Sequence, residues 1–180
     1  AMGFAPLEIA LGKDLHKSLE KDREDLLSRL SALRSRWNDK PGLSLPSVNV
    51  TDKSTLGPSS YEIKIGGIRY GEGKLLYDKR LAIAGTPTAS IPDGERIKDP
   101  AFGLPAMWID EDQVQIYETK GFSVIDPLTV MITHFSEVTN REMPQLISRI
   151  VMVETLEQVR ERQPGLLEEL VPNVLAVSDI

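Results

Sequence analysis

The stretch from Lys13 to Lys40 limits the fold more than any other part of this chain. Leu15, Leu19, Leu26, Leu30, Leu33 and Trp37 recur at helical spacing, and Lys, Arg, Asp and Glu fill the positions between them. Such spacing gathers apolar side chains into one stripe, so the segment is predicted to be an amphipathic helix with its polar face in water. Asp22 and Asp25 suit its first turns and Arg34 and Arg36 its last, where each sign complements the helix dipole. Pro41-Gly42 ends it. Just upstream, Leu7, Ile9 and Leu11 alternate with other residues, the period of a half-buried strand.

Downstream the period changes from helical to alternating. Val48 and Val50 begin a β region. Tyr61, Ile63 and Ile65 then alternate with Glu62 and Lys64, predicting one apolar and one wet face. Gly66-Gly67 between alternating runs signals a tight hairpin, because a primed turn needs positive φ. The return strand runs through Tyr70 toward Leu75, with Gly71 and Gly73 marking a bulge. Between Gly85 and Pro100, Pro87, Pro92 and Gly94 interrupt a polar stretch that cannot form one long element. Ala106–Ile109 reads as a strand, Asp110-Glu111-Asp112 opens a helix closed by Gly121, and Phe122–Ile125 is another strand. Asp126-Pro127 is an N-cap followed by proline at the first helical position. That helix carries Leu128, Ile132, Phe135 and Val138 on one side. A further helix is predicted from about Val151 to Arg162, breaking at Pro164-Gly165 before a last apolar segment, Leu166–Val171. The fold class expected is α/β.

Composition narrows function. With 180 residues, 41% of them hydrophobic, the chain can bury one core or two small ones. A formal net charge of −6 is unlike the basic face of a nucleic-acid binder, so no nucleic-acid partner is expected. There is no cysteine, which excludes disulfides, thiolate metal sites and a cysteine nucleophile. No run of about 18 apolar residues exists to span a membrane. Ala1-Met2-Gly3 reads as the scar of a cleaved tag, and both ends are expected to be boundaries within a longer protein.

The candidates for chemistry each have a plainer reading. His134 lies near Ser136 and downstream of Asp126, an arrangement that suggests a hydrolase. A histidine and serine two apart on a helix point in different directions, however, and no G-x-S-x-G elbow is present. Asp110-Glu111-Asp112 could hold a cation, but acidic residues are favoured in a first helical turn anyway. His16 and His134 are too few and too far apart for a zinc site. Gly71-Glu72-Gly73 is followed by no Lys-Ser or Lys-Thr of a phosphate loop. No metal, nucleotide or other cofactor is therefore expected, and binding is favoured over catalysis.

Four ordered motifs carry a resemblance that covers nearly the whole chain: Asp99–Ile109 (DPAFGLPAMWI), Gly121–Pro127 (GFSVIDP), Ile132–Val138 (ITHFSEV) and Gln163–Pro172 (QPGLLEELVP). They resemble the FlhA-like type III export-gate family, with Leu7–Leu11 and Tyr61–Gly73 fitting its looser upstream segments. The chain departs from the family pattern over Leu146–Met152.

The resemblance implies a piece of the cytosolic part of an inner-membrane export gate, a non-enzyme that docks export chaperones with their cargo and works with other export-apparatus proteins. It implies a discontinuous first subdomain (residues 5–82 and 127–150), an inserted second one (83–126) and the start of a third, helical one (151–180). It implies nine-membered rings for the whole protein and a monomer for this piece. It also implies a docking dimple lined by Asp99, Phe102 and Thr133. A structural ring segment without a docking role, or a hydrolase using Asp126, His134 and Ser136, are the alternatives.

Overall fold

The computed structural model describes residues 6–38, 47–86 and 96–162. The expected helix stop at Pro41-Gly42, the Pro87–Gly94 stretch, the break at Pro164-Gly165 and the segment Leu166–Val171 lie outside the described residues. The chain is α/β and divides into two compact units, residues 1–138 and 139–180. Among the described residues no helix is long and apolar enough to cross a membrane.

The first unit holds two four-stranded sheets. The first sheet has the order β2-β1-β3-β4, from β1 (Leu7–Leu11), β2 (Val48–Asp52), β3 (Ser60–Ile65) and β4 (Ile68–Lys74). β1 runs parallel to β2 and antiparallel to β3. A parallel pair needs a crossover, and the amphipathic stretch supplies it. The crossover is α1 (Lys13–Leu19), a 3-10 turn at Glu20–Asp22, and α2 (Arg23–Asn38), so the single helix expected is two helices joined by a tighter turn. All six stripe residues, Leu15 to Trp37, are buried. Tyr77, beyond β4, donates its hydroxyl to the Asp22 carboxylate in the joining turn.

Cross-strand partners decide which face of this sheet is dry. Leu7 stands opposite Ile65, Ile9 opposite Ile63, and Leu11 opposite Tyr61, and all six are buried. The hairpin is the expected one, with φ of 61° at Gly66 and 80° at Gly67. The register shifts between Ile63 and Lys64, placing the bulge on β4 near Tyr70 and Gly71. The other face differs from its expected wetness at Glu62, which is buried. Its carboxylate accepts from Lys53 Nζ at 3.1 Å and Arg69 at 3.2 Å. Burial acts to raise the Glu62 pKa, but these two cations outweigh it and hold the group below the usual carboxylate range.

The second sheet has the order β6-β7-β5-β8, from β5 (Arg80–Ile83), β6 (Ile97–Lys98), β7 (Pro105–Ile109) and β8 (Ser123–Ile125). Its small core joins Ala82, Met107, Ile109 and Tyr117, with Val114, Phe122 and Val124 packed against it. Tyr117 and Phe122 meet edge to face, with centroids 5.3 Å apart. Tyr117 sits on α3 (Val114–Thr119), which follows a short 3-10 turn capped reciprocally by Asp110 and Gln113.

α4 runs unbroken from Pro127 to Arg162, where two helices were expected. Pro144 lies inside it. A proline removes one i→i−4 hydrogen bond yet leaves the remaining ladder available. Near its start, Thr129 Oγ1 donates to Asp126 and accepts from Arg29 of α2 at 2.8 Å.

Candidate docking site

The hairpin between β6 and β7 turns on Asp99–Leu104, and its sequence dictates its shape. The Asp99 carboxylate accepts the amides of Phe102 (2.9 Å) and Leu104 (2.6 Å). The backbone closes the same ring: Asp99 N–H donates to the Leu104 carbonyl at 2.8 Å, and Gly103 N–H donates to the Asp99 carbonyl at 2.9 Å. Hydrogen bonds to an ionised carboxylate are stronger than neutral ones, so the turn is pinned from inside. Gly103 takes φ +72°, which a β-carbon would disfavour. The outcome is a sharp division within four residues: Asp99 is 3% exposed and Phe102 is 61% exposed.

Beside the turn lies a groove of about 330 Å³, whose walls include Gly73 and Lys74 of β4, Ile97 of β6, Pro100, and Trp108 of β7. It therefore runs between edge strands of the two sheets. Against Gly73, one of its walls, lies Tyr61, whose Oη forms a buried polar pair with His134 Nδ1, 2.6 Å apart. Burial, and after it the negative charge of Asp99, push the Tyr61 pKa far above the usual phenol range, so the hydroxyl stays neutral. Two glycines on β4 make room for the pair. A β-carbon on Gly71 would lie 2.9 Å from His134 Nε2, and one on Gly73 would lie 2.5 Å from Tyr61 Oη.

The three residues implied as a docking dimple thus have distinct settings. Phe102 projects from the turn, Asp99 is sealed behind it, and Thr133 is half-buried on α4, one residue before His134. The hydrolase arrangement finds other uses for its members. His134 Nδ1, the atom a triad aspartate would need, faces Tyr61. The Asp126 carboxylate accepts from Thr129. In the acidic run, Asp110 pairs with Lys79 at 2.6 Å and Glu111 with Arg80 at 3.7 Å. Among the described residues no three His, Cys, Asp or Glu side chains are placed to hold a metal ion. Sequence spacing does not single out Tyr61; its only trace is Gly73, the glycine that stands opposite it on the paired strand.

Fold and site together define an α/β protein whose distinctive surface is an aromatic turn beside an inter-sheet groove. Comparison with known proteins gives the family and the fold. The chain matches the FHIPEP family over residues 1–180 and belongs to that family. It is 34% identical over 176 residues to the flagellar biosynthesis protein FlhA of Bacillus subtilis (strain 168), covering 97% of this chain and 26% of that protein. The chain therefore spans about a quarter of the length of this curated relative. In fold it is similar to the Chlamydia pneumoniae CdsV protein, with a TM-score of 0.65 at 21% identity over 99% of this chain and 55% of that one. It is also similar to a cytoplasmic domain of Salmonella InvA, with a TM-score of 0.53 at 17% identity over 93% of this chain and 98% of that one.

Proposed function

We propose that this chain is part of the docking platform of a type III protein export gate, at the cytoplasmic face of the inner membrane, where it receives export chaperones carrying their cargo. Family membership supports the export-apparatus role. The exposure of Phe102 carries the docking role. A phenylalanine held 61% exposed on a turn pinned by a buried carboxylate forgoes burial that would be worth roughly 1.5–3 kcal/mol. A partner that covers the ring recovers that stabilisation. Asp99 serves such a site from behind, by fixing the turn, and Thr133, half-buried on α4, is the third member of the proposed set. The interleaved division, with residues 5–82 and 127–150 around 83–126, belongs to the same proposal.

The test is Phe102→Ala in the whole cytosolic part of the protein, titrated with a purified chaperone–cargo complex. Affinity is expected to fall about thirtyfold, the loss typical of an interface anchor worth about 2 kcal/mol. The thermal melt is expected to stay near wild type, as for other exposed substitutions. A lowered melting temperature with unchanged affinity per folded molecule would leave Phe102 a structural residue and remove the docking assignment.

A further inference from the structure

The described elements of the two sheets are joined by the chain at two places. β4 ends at Lys74 and β5 begins at Arg80, so residues 75–79 lead out of the first sheet. β8 ends at Ile125 and α4 begins at Pro127, so Asp126 alone leads back. α4 belongs with the first sheet, since its His134 meets Tyr61 of β3. Among the described residues no strand of one sheet pairs with a strand of the other. A body joined by two single-chain crossings can turn about them unless side chains hold them. Both crossings are held, and from the same element. Tyr77, in the outward crossing, donates its hydroxyl to the Asp22 carboxylate, and Lys21 Nζ lies 5.5 Å from the centre of its ring. Two residues on, Lys79 Nζ donates at 2.6 Å to Asp110, which follows β7 of the second sheet. Asp78 is all that separates the anchor on one sheet from the anchor on the other. In the return crossing, Asp126 accepts from Thr129 Oγ1, which accepts in turn from Arg29 Nη1 at 2.8 Å. Asp25 steadies Arg29 by accepting from its Nε at 3.0 Å. On the far side of Asp126, Ile125 is paired with Leu81 of β5. Asp22 and Arg29 are seven residues apart, about two helical turns, so one face of the helical crossover reaches both crossings.

We infer that Asp22 and Arg29 form a clamp across both crossings, acting through the hydroxyls of Tyr77 and Thr129, and that this clamp fixes the angle between the two sheets. The groove beside the aromatic turn takes Gly73 and Lys74 from the first sheet and Ile97 and Trp108 from the second. Turning about Asp78 and Asp126 therefore opens or closes it, and the clamp sets its width. Hydrogen bonds through a hydroxyl depend steeply on direction, so each contact holds an angle as well as a distance. Both are part-buried, which screens them less than the exposed ion pairs nearby. Use of the groove by a partner rests on the docking role proposed above, but the clamp does not.

The chain contains no cysteine, so spin labels can be attached at introduced cysteines alone. Labels at Ile68→Cys on β4 and Ile116→Cys on α3, both exposed positions, report the distance across the joint. Labels at Ile68→Cys and Leu27→Cys, also exposed, report within the first sheet and its crossover and serve as the control. Dipolar electron spin resonance on the full 180-residue chain is expected to give one narrow distance distribution for each pair. Adding Tyr77→Phe or Thr129→Val, each of which keeps the side chain's size and removes its hydroxyl, should widen the distribution across the joint about twofold and leave the control pair unchanged. Thr129→Ser, which keeps the hydroxyl, should preserve the narrow distribution. An unchanged distribution across the joint in both variants lacking a hydroxyl would overturn the inference. So would equal widening of the control pair, which would mark a general loosening of the fold, or Thr129→Ser behaving as Thr129→Val does. Failure of Phe102→Ala to weaken docking would remove the docking role and leave the distance result standing.

Discussion

The two sheets of the first unit have the same number of strands and very different interiors. In the first, strands of five to seven residues lay Leu7, Ile9, Leu11, Tyr61, Ile63 and Ile65 against a crossover whose six stripe residues are all buried. In the second, strands of two to five residues close over a core of Ala82, Met107, Ile109 and Tyr117. Each fully buried aliphatic side chain contributes about 1.5–3 kcal/mol, so the first sheet carries most of the hydrophobic stabilisation. The aromatic turn belongs to the second, thinner sheet, and the groove beside it is walled on its other side by Gly73 and Lys74 of the first.

Large-to-small substitutions probe that contrast most directly. Ile63→Ala is expected to lower the unfolding free energy by about 4 kcal/mol and Met107→Ala by about 2 kcal/mol, read from urea titrations of both variants. Equal losses would mean that the two interiors are equivalent and the comparison fails. The next effect is smaller and tests the boundary between the sheets. Gly73→Ala drives a β-carbon against Tyr61 and is expected to cost about 1–3 kcal/mol. Gly85→Ala, with nothing within 4 Å of the new atom, should stay within about 0.5 kcal/mol of wild type. A neutral Gly73→Ala would show that Tyr61 has room to move.

The smallest expected effect is electrostatic and assigns acid sensitivity to the first sheet. Lys53 and Arg69 hold the folded-state pKa of Glu62 below its unfolded value. Stability from this group is therefore fully present above the ordinary glutamate pKa, and it is lost as pH falls through the depressed folded value. Glu62→Gln should flatten the acid limb of a stability–pH curve by at most about 1 kcal/mol, with little change at pH 7 in the shape of the curve. An unchanged acid limb would place the sensitive carboxylate elsewhere.

Much of the first sheet was readable from spacing alone. The stripe from Leu15 to Trp37, the alternation through Tyr61–Ile65 and the Gly66-Gly67 turn each depend on neighbours close in sequence, and each appears in the structure. The 3-10 turn at Glu20–Asp22 was not readable, because its charged residues suit a helix and a tighter turn equally well. The strand Arg80–Ile83 was missed, since its four residues are too short for an alternating signal. Two helices are expected between Pro127 and Arg162, but α4 continues through Pro144 as one. At the site, Pro100 and Gly103 announce a bend, but spacing alone leaves Phe102 equally able to be a lid on the core, and its 61% exposure comes only from the fold. The partners of His134 could not be read, because Tyr61 lies far away in sequence and only the fold brings the two rings together.

The central position of β1 has a consequence for how the chain reaches its native state. β1 pairs on one side with Val48–Asp52 and on the other with Ser60–Ile65, and both partners follow it in the chain. Whether the polypeptide emerges from a ribosome or is diluted from denaturant, Leu7, Ile9 and Leu11 have no strand to join until the whole crossover and β2 are available. Closure of those long loops precedes any gain from pairing, so contact order rather than local propensity sets the pace of assembly. Until then the most apolar strand of the sheet stays unpaired, and transient protection during synthesis matters more for this segment than for the locally closed hairpin of β3 and β4.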